Sequence, residues 1–283
     1  MRIRRILPLT VVGLLVASGL SFAPTTASAA VTCNGLVATI VGTEAADSLY
    51  GTSGADVIVG LGGGDYIDGA GGNDVICGGD GDDSIYTDDG RSGGSDADWV
   101  DAGAGGNFIE AGAGSDILVA GDGNDSIYAG AGDDRVNAGN GANYVAGDAG
   151  RDVLTAGNGA DSFYAGAGDD RVNAGKGANY LAGGEGRDIL IAGSGNDSLY
   201  GGAGNDRLSA GGGVDYLSGD AGNDHLDAGS GRDSLYGGEG RDLVEGGSGA
   251  DYISGGPGKD ITAKGSVKAK VQRDWYKKVG KFV

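Results

Sequence analysis

Acidic residues recur at one fixed spacing through most of this chain. Asp47, Asp56, Asp65, Asp74 and Asp83 open the series. Asp98, Asp116, Asp125, Asp134, Asp152, Asp161, Asp170, Asp188, Asp197, Asp206, Asp215, Asp224, Asp233, Asp242, Asp251 and Asp260 continue it, with Asn107, Asn143 and Asn179 standing at three positions of the same series. Carboxylates flanked by glycine-rich backbone offer hard oxygen ligands, side-chain and carbonyl together, which suit Ca2+. Other chemistries lack their residues. His225 is the only histidine, and Cys33 and Cys77 are the only cysteines, so no zinc set exists. No Ser-His-Asp or Cys-His arrangement can be built around His225, which reads as a surface residue. With 40 acidic residues, chance carboxylate pairs say nothing specific about glycoside hydrolysis. The Gly-x-Gly strings lack the strand, turn and long helix of a nucleotide fold.

The elements that carry these aspartates are nonapeptides. Residues 201–209 read GGAGNDRLS, followed by AGGGVDYLS, GDAGNDHLD, AGSGRDSLY, GGEGRDLVE and GGSGADYIS. The period runs from Gly42 to Ala263 as 24 nonapeptides, interrupted by a six-residue insert expected at Thr87–Ser92. The fourth position is Gly in 22 copies, Ala45 and Asp96 being the exceptions, and the eighth is apolar in all but one, Thr262. The Gly-rich half forms a turn and the last three residues a short strand, pointing outward, inward and outward. One nonapeptide cannot bury its single inward side chain, whereas stacked copies can, which makes a solenoid.

This pattern resembles the RTX (repeat-in-toxin, hemolysin-type) calcium-binding nonapeptide repeat family, GGxGxDxUx, over essentially all of residues 42–263. The resemblance implies an all-β chain: a parallel β-roll, a right-handed β-solenoid of about 12 turns with two nonapeptides per turn, closed by terminal caps. It also implies Ca2+ ions between successive turns on each side. Their ligands would be backbone carbonyls of the Gly-rich half and the twenty-one sixth-position aspartates named above. Ala102, Ala129 and Ala165 replace the first Gly of the motif, a mild change if only the carbonyl matters. Thr43, Thr52, Leu61, Asp148 and Asp220 replace the second. The asparagine positions lose a charge, so sites they touch should be weaker. The first repeat, GTEAADSLY, lacks its turn glycines and is expected to bind nothing.

Composition points the same way. The chain has 283 residues, 64 of them Gly, and a formal charge of −20, which disfavours an ordinary globular enzyme fold and a nucleic-acid partner. Residues 42–263 hold 39 acidic and 10 basic side chains. Stacking would bring like charges within about 4.8 Å of one another, a repulsion that a cation inside the stack converts to attraction. Low Ca2+ before export would leave the chain unfolded, and external Ca2+ would fold it.

The ends differ from the coil. Arg2, Arg4 and Arg5, an apolar run from Ile6 to Leu20, and Ala27-Ser28-Ala29 read as a secretory signal peptide over residues 1–30, and no later segment is apolar enough to span a membrane. A secreted, extracellular chain meets oxidising conditions, where Cys33 and Cys77 pair. They are 44 residues apart, roughly 12 Å along a regular coil at ~4.8 Å per turn. A disulfide tolerates Cα separations only to about 7 Å. Residues 31–41 are therefore expected to fold back over the first turns as an N-terminal cap. From Lys264 onward the chain is basic, and Val267, Val271, Trp275, Val279 and Phe282 fall at helical spacing. Residues 264–283 read as a cap over the last coil or a basic tail, with a membrane-surface helix as the alternative.

One further periodicity remains. Tyr50, Tyr86, Tyr128, Tyr164, Tyr200 and Tyr236 occupy ninth positions, and Tyr66, Phe108, Tyr144, Tyr180, Tyr216 and Tyr252 seventh positions, always in odd-numbered nonapeptides. With two nonapeptides per turn, all twelve share one outer face. They either stack for stability or offer a face to cell-envelope polysaccharide or protein, with rings in two lanes about 9.6 Å apart within a lane. The expected function is a secreted calcium-binding module that folds on Ca2+ and has no catalytic site. A cell-surface adhesion or polysaccharide-binding protein and a secreted hydrolase are the alternatives.

Overall fold

The chain was analysed as a computed structural model, which describes residues 30–88 and 95–265. The expected signal peptide except its last residue, Ala30, and all of the C-terminal segment beyond Gly265 lie outside the described residues.

Short strands dictate the architecture. Each nonapeptide ends in three or more extended residues whose eighth-position side chain is buried, from Ile58 through Ile127 and Leu190 to Val244. Strands pair in parallel with partners 18 residues away, as Ser126–Tyr128 does with Tyr144–Ala146. That offset is two nonapeptides, so each turn of the coil contains two strands, one in each of two facing sheets. A 12-stranded sheet holds the strands of the odd repeats, from Ser48–Tyr50 to Tyr252–Ser254. A 15-stranded sheet holds those of the even repeats, from Val57–Gly62 to Ile261–Ala263, with a few short additions. The result is the expected β-solenoid of about 12 turns, and the described residues include no helix.

The core between the sheets has a second column that the eighth-position pattern does not announce. First-position alanines point inward, and Ala102, Ala129 and Ala165 among them are fully buried beside the large aliphatic residues. Turn geometry explains the fourth-position glycine. At Gly132 the backbone has φ 142°, and a Cβ there would lie 1.4 Å from the carbonyl oxygen of Gly114 in the previous turn. No L side chain fits that conformation and that approach together.

Across the insert the strand offset becomes 24, as between Ser84 and Phe108. Thr87 nevertheless stays in the coil. Its amide donates to Glu110 O at 3.1 Å and its buried hydroxyl to Ala111 O at 2.6 Å. It thus fills a first position, and the amide of Ala113 approaches Asp88 Oδ2 at 3.4 Å, which puts Asp88 at the second. The regular coil therefore runs two residues further than expected, because a buried threonine can take the place of the usual small first residue. Residues 89–94, where the extra chain falls, are outside the described residues.

At the N-terminal end, β1 (Thr32–Cys33) and β2 (Leu36–Val37) form an antiparallel hairpin. β1 packs against strands Val57–Gly62 and Val75–Asp80, and Cys33 is bonded to Cys77 with Cα atoms 5.9 Å apart. The fold-back is thus confined to the hairpin. β3 (Ile40–Val41) pairs in parallel with Ile58 and Val59 and extends the coil by one more rung.

Candidate metal centre

The sixth-position aspartates line the two edges of the solenoid, where the chain turns from one sheet to the other. Each is anchored by one oxygen. The amide of Asp98 donates to Asp116 Oδ1 at 2.8 Å, that of Asp116 to Asp134 Oδ1 at 2.8 Å, and that of Asp188 to Asp206 Oδ1 at 2.9 Å. A ladder of such bonds climbs each edge from Asp65 and Asp74 onward, each carboxylate reaching back one turn. The second oxygen is the informative one. In eighteen of the twenty-one aspartates, from Asp65 to Asp251, Oδ2 is buried without a hydrogen-bond partner. A buried unpaired carboxylate oxygen is costly, and a column of them points to a missing positive charge.

Backbone oxygens share that space. A Cβ placed on Gly183 would fall 2.3 Å from Asp188 Oδ2 and 2.5 Å from Gly201 O, and one on Gly219 would meet Asp224 Oδ2 and Gly237 O, each at 2.4 Å. Carboxylate and carbonyl therefore converge on one small volume between successive turns. Burial raises the carboxyls from Asp65 to Asp242, and the charge of neighbouring aspartates adds to the effect in most of them. Asp116, Asp152 and Asp188 are pushed up to about 7, and Asp224 to about 8. The hydrogen bond from the preceding turn works in the opposite direction without overcoming burial.

The three remaining aspartates differ. Asp47 Oδ2 accepts from the amide of Thr43 at 2.6 Å and from its hydroxyl at 2.8 Å, and Asp56 Oδ2 accepts from Thr52 in the same way. Threonine at the second position thus satisfies its own carboxylate, a local cap the sequence pattern did not suggest. Asp260, on the last described turn, is only half-buried.

The arrangement suits a hard divalent cation. Carboxylate oxygens face carbonyl oxygens with no hydrogen-bond donor between them, and among the described residues no nitrogen or sulfur ligand is offered there. The residues present therefore fit Ca2+ on the structure's own terms.

His225 is not the surface residue its position suggests. It is 1% exposed, and its Nε2 lies 3.2 Å from Oε1 of Glu245, itself 4% exposed. The adjoining Leu243 is buried too, whereas Arg135 and Ile117, at the same repeat position on earlier turns, are exposed. The same repeat position is thus exposed on some turns and buried on others.

The aromatic residues form one column rather than two separate lanes. From Tyr50 to Tyr252 each ring contacts the next, with centroids 5.4–5.8 Å apart and planes tilted 37–48°. With about 4.8 Å between strands, the sideways offset is only about 2.7 Å, well short of the roughly 6.6 Å between alternate residues of a strand. The rings lean together and pack on one another.

The RTX calcium-binding nonapeptide repeat model, built from four copies of the repeat, matches this chain ten times in overlapping or adjoining stretches from residues 41–76 to residues 227–262. No curated protein matches the chain. The matches cover the same coil that carries the unpaired carboxylates, and the chain belongs to the RTX calcium-binding nonapeptide repeat family.

Proposed function

We propose that this is a secreted calcium-binding β-roll that folds as Ca2+ enters between its stacked turns and serves as a structural or interaction module without catalysis. The observation that carries this reading is the column of buried Oδ2 atoms, from Asp65 to Asp251, that have no partner. Bound Ca2+ would supply positive charge between turns. The aspartates from Asp65 to Asp251 would hold it through Oδ2, with first-position carbonyls such as Gly201 O beside them. Asp47, Asp56 and Asp260 would contribute less, since threonine already satisfies the first two. Residues 1–30 act as the export signal in this reading, so the coil first meets abundant Ca2+ outside the cell.

The aromatic column supports the structural role. Rings packed on one another shield much of their faces, as a stabilising stack does, although Tyr50 and Tyr252 at its ends are more than half exposed. Circular dichroism of the mature chain tests the proposal. The expected outcome is a largely disordered spectrum after dialysis against chelator at neutral pH and a β spectrum in millimolar Ca2+. Identical β spectra under both conditions would overturn it.

A further inference from the structure

Three repeats carry asparagine at the sixth position, and all three lie on one edge of the solenoid. Asn107, Asn143 and Asn179 each precede a strand of the aromatic sheet, starting at Phe108, Tyr144 and Tyr180. On that edge they alternate with Asp125, Asp161 and Asp197. The opposite edge has aspartate at every turn from Asp56 to Asp260.

The orientation of each asparagine amide is fixed by its neighbours. The backbone amides of Asp83, Asp125 and Asp161 donate to Oδ1 of Asn107, Asn143 and Asn179, each at 3.0 Å. A backbone N–H needs an acceptor, so the carbonyl oxygen must face it and the NH2 group must point the other way. There the NH2 occupies the place that Oδ2 takes in every aspartate repeat. Asn107 Nδ2 donates to Ala120 O at 3.1 Å, and Asn143 Nδ2 to Gly141 O at 3.4 Å. Asn179 Nδ2 donates to Gly177 O at 3.2 Å and to Ala192 O at 3.5 Å. These acceptors are the fourth-position carbonyl of the same turn and the first-position carbonyl of the next. In the aspartate repeats the first-position carbonyl faces an unpaired carboxylate oxygen instead, as Gly201 O faces Asp188 Oδ2.

We infer that the amides of Asn107, Asn143 and Asn179 stand in for the cation, so that the gaps they face are closed by hydrogen bonds and take no Ca2+. A donor replaces an acceptor at the one point where oxygen lone pairs would otherwise meet. The two edges are therefore unequal. One is a continuous ladder of cation sites, and the other has three ion-independent rungs set at every second turn through its middle. This inference rests on the calcium reading proposed above, and it assigns which gaps stay closed.

The test is ion stoichiometry. Calcium bound per mature chain is measured by equilibrium dialysis for the parent and for the triple variant Asn107→Asp, Asn143→Asp, Asn179→Asp, with circular dichroism on each. The expected result is a gain of about three ions per chain. A β-rich triple variant that binds the same number of ions as the parent overturns the inference. A parent that binds no Ca2+ overturns instead the calcium reading on which it rests. If the triple variant does not fold in Ca2+, the reverse variant Asp116→Asn, Asp152→Asn, Asp188→Asn decides. Loss of about three ions with a retained β spectrum supports amide closure, and an unchanged count refutes it.

Discussion

Asp116 and Asp134 sit one turn apart, the amide of the first donating to Oδ1 of the second at 2.8 Å, while Oδ2 of each is buried without a partner. One oxygen of each carboxylate therefore builds the ladder and the other waits for a positive charge. A proton can supply it as well as a metal ion can. Burial pushes Asp116 and Asp206 up to about 7 and Asp224 to about 8, against an ordinary value near 4 for an unfolded aspartate. Because the folded-state value is raised, the stabilising contribution is complete below about pH 4 and is lost as pH rises through about 6 to 8. The metal-free chain should thus gain β structure on acidification, with most of the change between about pH 8 and 5. Calcium affinity should fall over the same range, since each ion must displace protons. Circular dichroism of the metal-free chain across this range checks the first statement, and a flat signal counts against it.

Cys33 and Cys77 close a loop of 44 residues around the first turns. Chain entropy alone assigns such a loop about 4 kcal/mol. The effect should be local, because a solenoid transmits stability only from neighbour to neighbour. Replacing both cysteines by serine should release protection in the hairpin and in the turns up to Asp83. The turns beyond Asn107 should keep theirs. Hydrogen exchange in Ca2+ resolves the two regions, and uniform loss along the coil would contradict a local role.

The coil was legible because one side chain in nine must be buried and one aspartate in nine repeats beside it. The period follows from that arithmetic, whereas two strands per turn, and with it the shared aromatic face, came from what the resemblance to the RTX family implies. What stayed hidden depended on contacts that position in the repeat does not report, some between turns and some within one. Thr87 looked like part of an insert, yet its hydroxyl finds Ala111 O in the next turn and keeps it in the coil. Asp47 lies in a first repeat already short of its turn glycines, but Asp56 matched the motif, and its bonds to Thr52 set it apart. First-position alanines read as imperfect glycines and are core residues. His225 occupies an outward position and is nevertheless buried against Glu245, which its place in the repeat does not report.

The aromatic column makes its own prediction. Tyr164 contacts Tyr144 and Tyr180 at centroid distances of 5.5 and 5.4 Å. Such pairs contribute about 0.5–1.5 kcal/mol each beyond burial, so Tyr164→Ser should cost about 1–3 kcal/mol in saturating Ca2+. Removing end residue Tyr50, which contacts Tyr66 within the column, should cost about half as much. Chemical denaturation of the two variants checks the ratio. Equal and negligible costs would show that the rings do not hold the sheet together.

The buried group at His225 can be tested without disturbing the calcium edges. Glu245 lies beside Asp227 in register, and its Oε1 meets His225 Nε2 at 3.2 Å. Burial raises the Asp227 carboxyl, and the charge of Glu245 raises it further, while His225 and Arg207 pull it down. Glu245→Gln keeps the shape and a hydrogen-bonding group but removes the charge. The Asp227 carboxyl should therefore titrate lower in the variant while remaining above the ordinary aspartate range, since burial is the larger cause. Carbon-detected NMR of the side-chain carboxyl measures this directly. Glu245→Leu should cost about 1–3 kcal/mol, because it leaves His225 Nε2 without that partner in a buried place. Combining it with His225→Phe should restore part of the loss, since the second change removes the group left behind. Fully additive costs would mean that the two side chains are buried side by side without depending on each other.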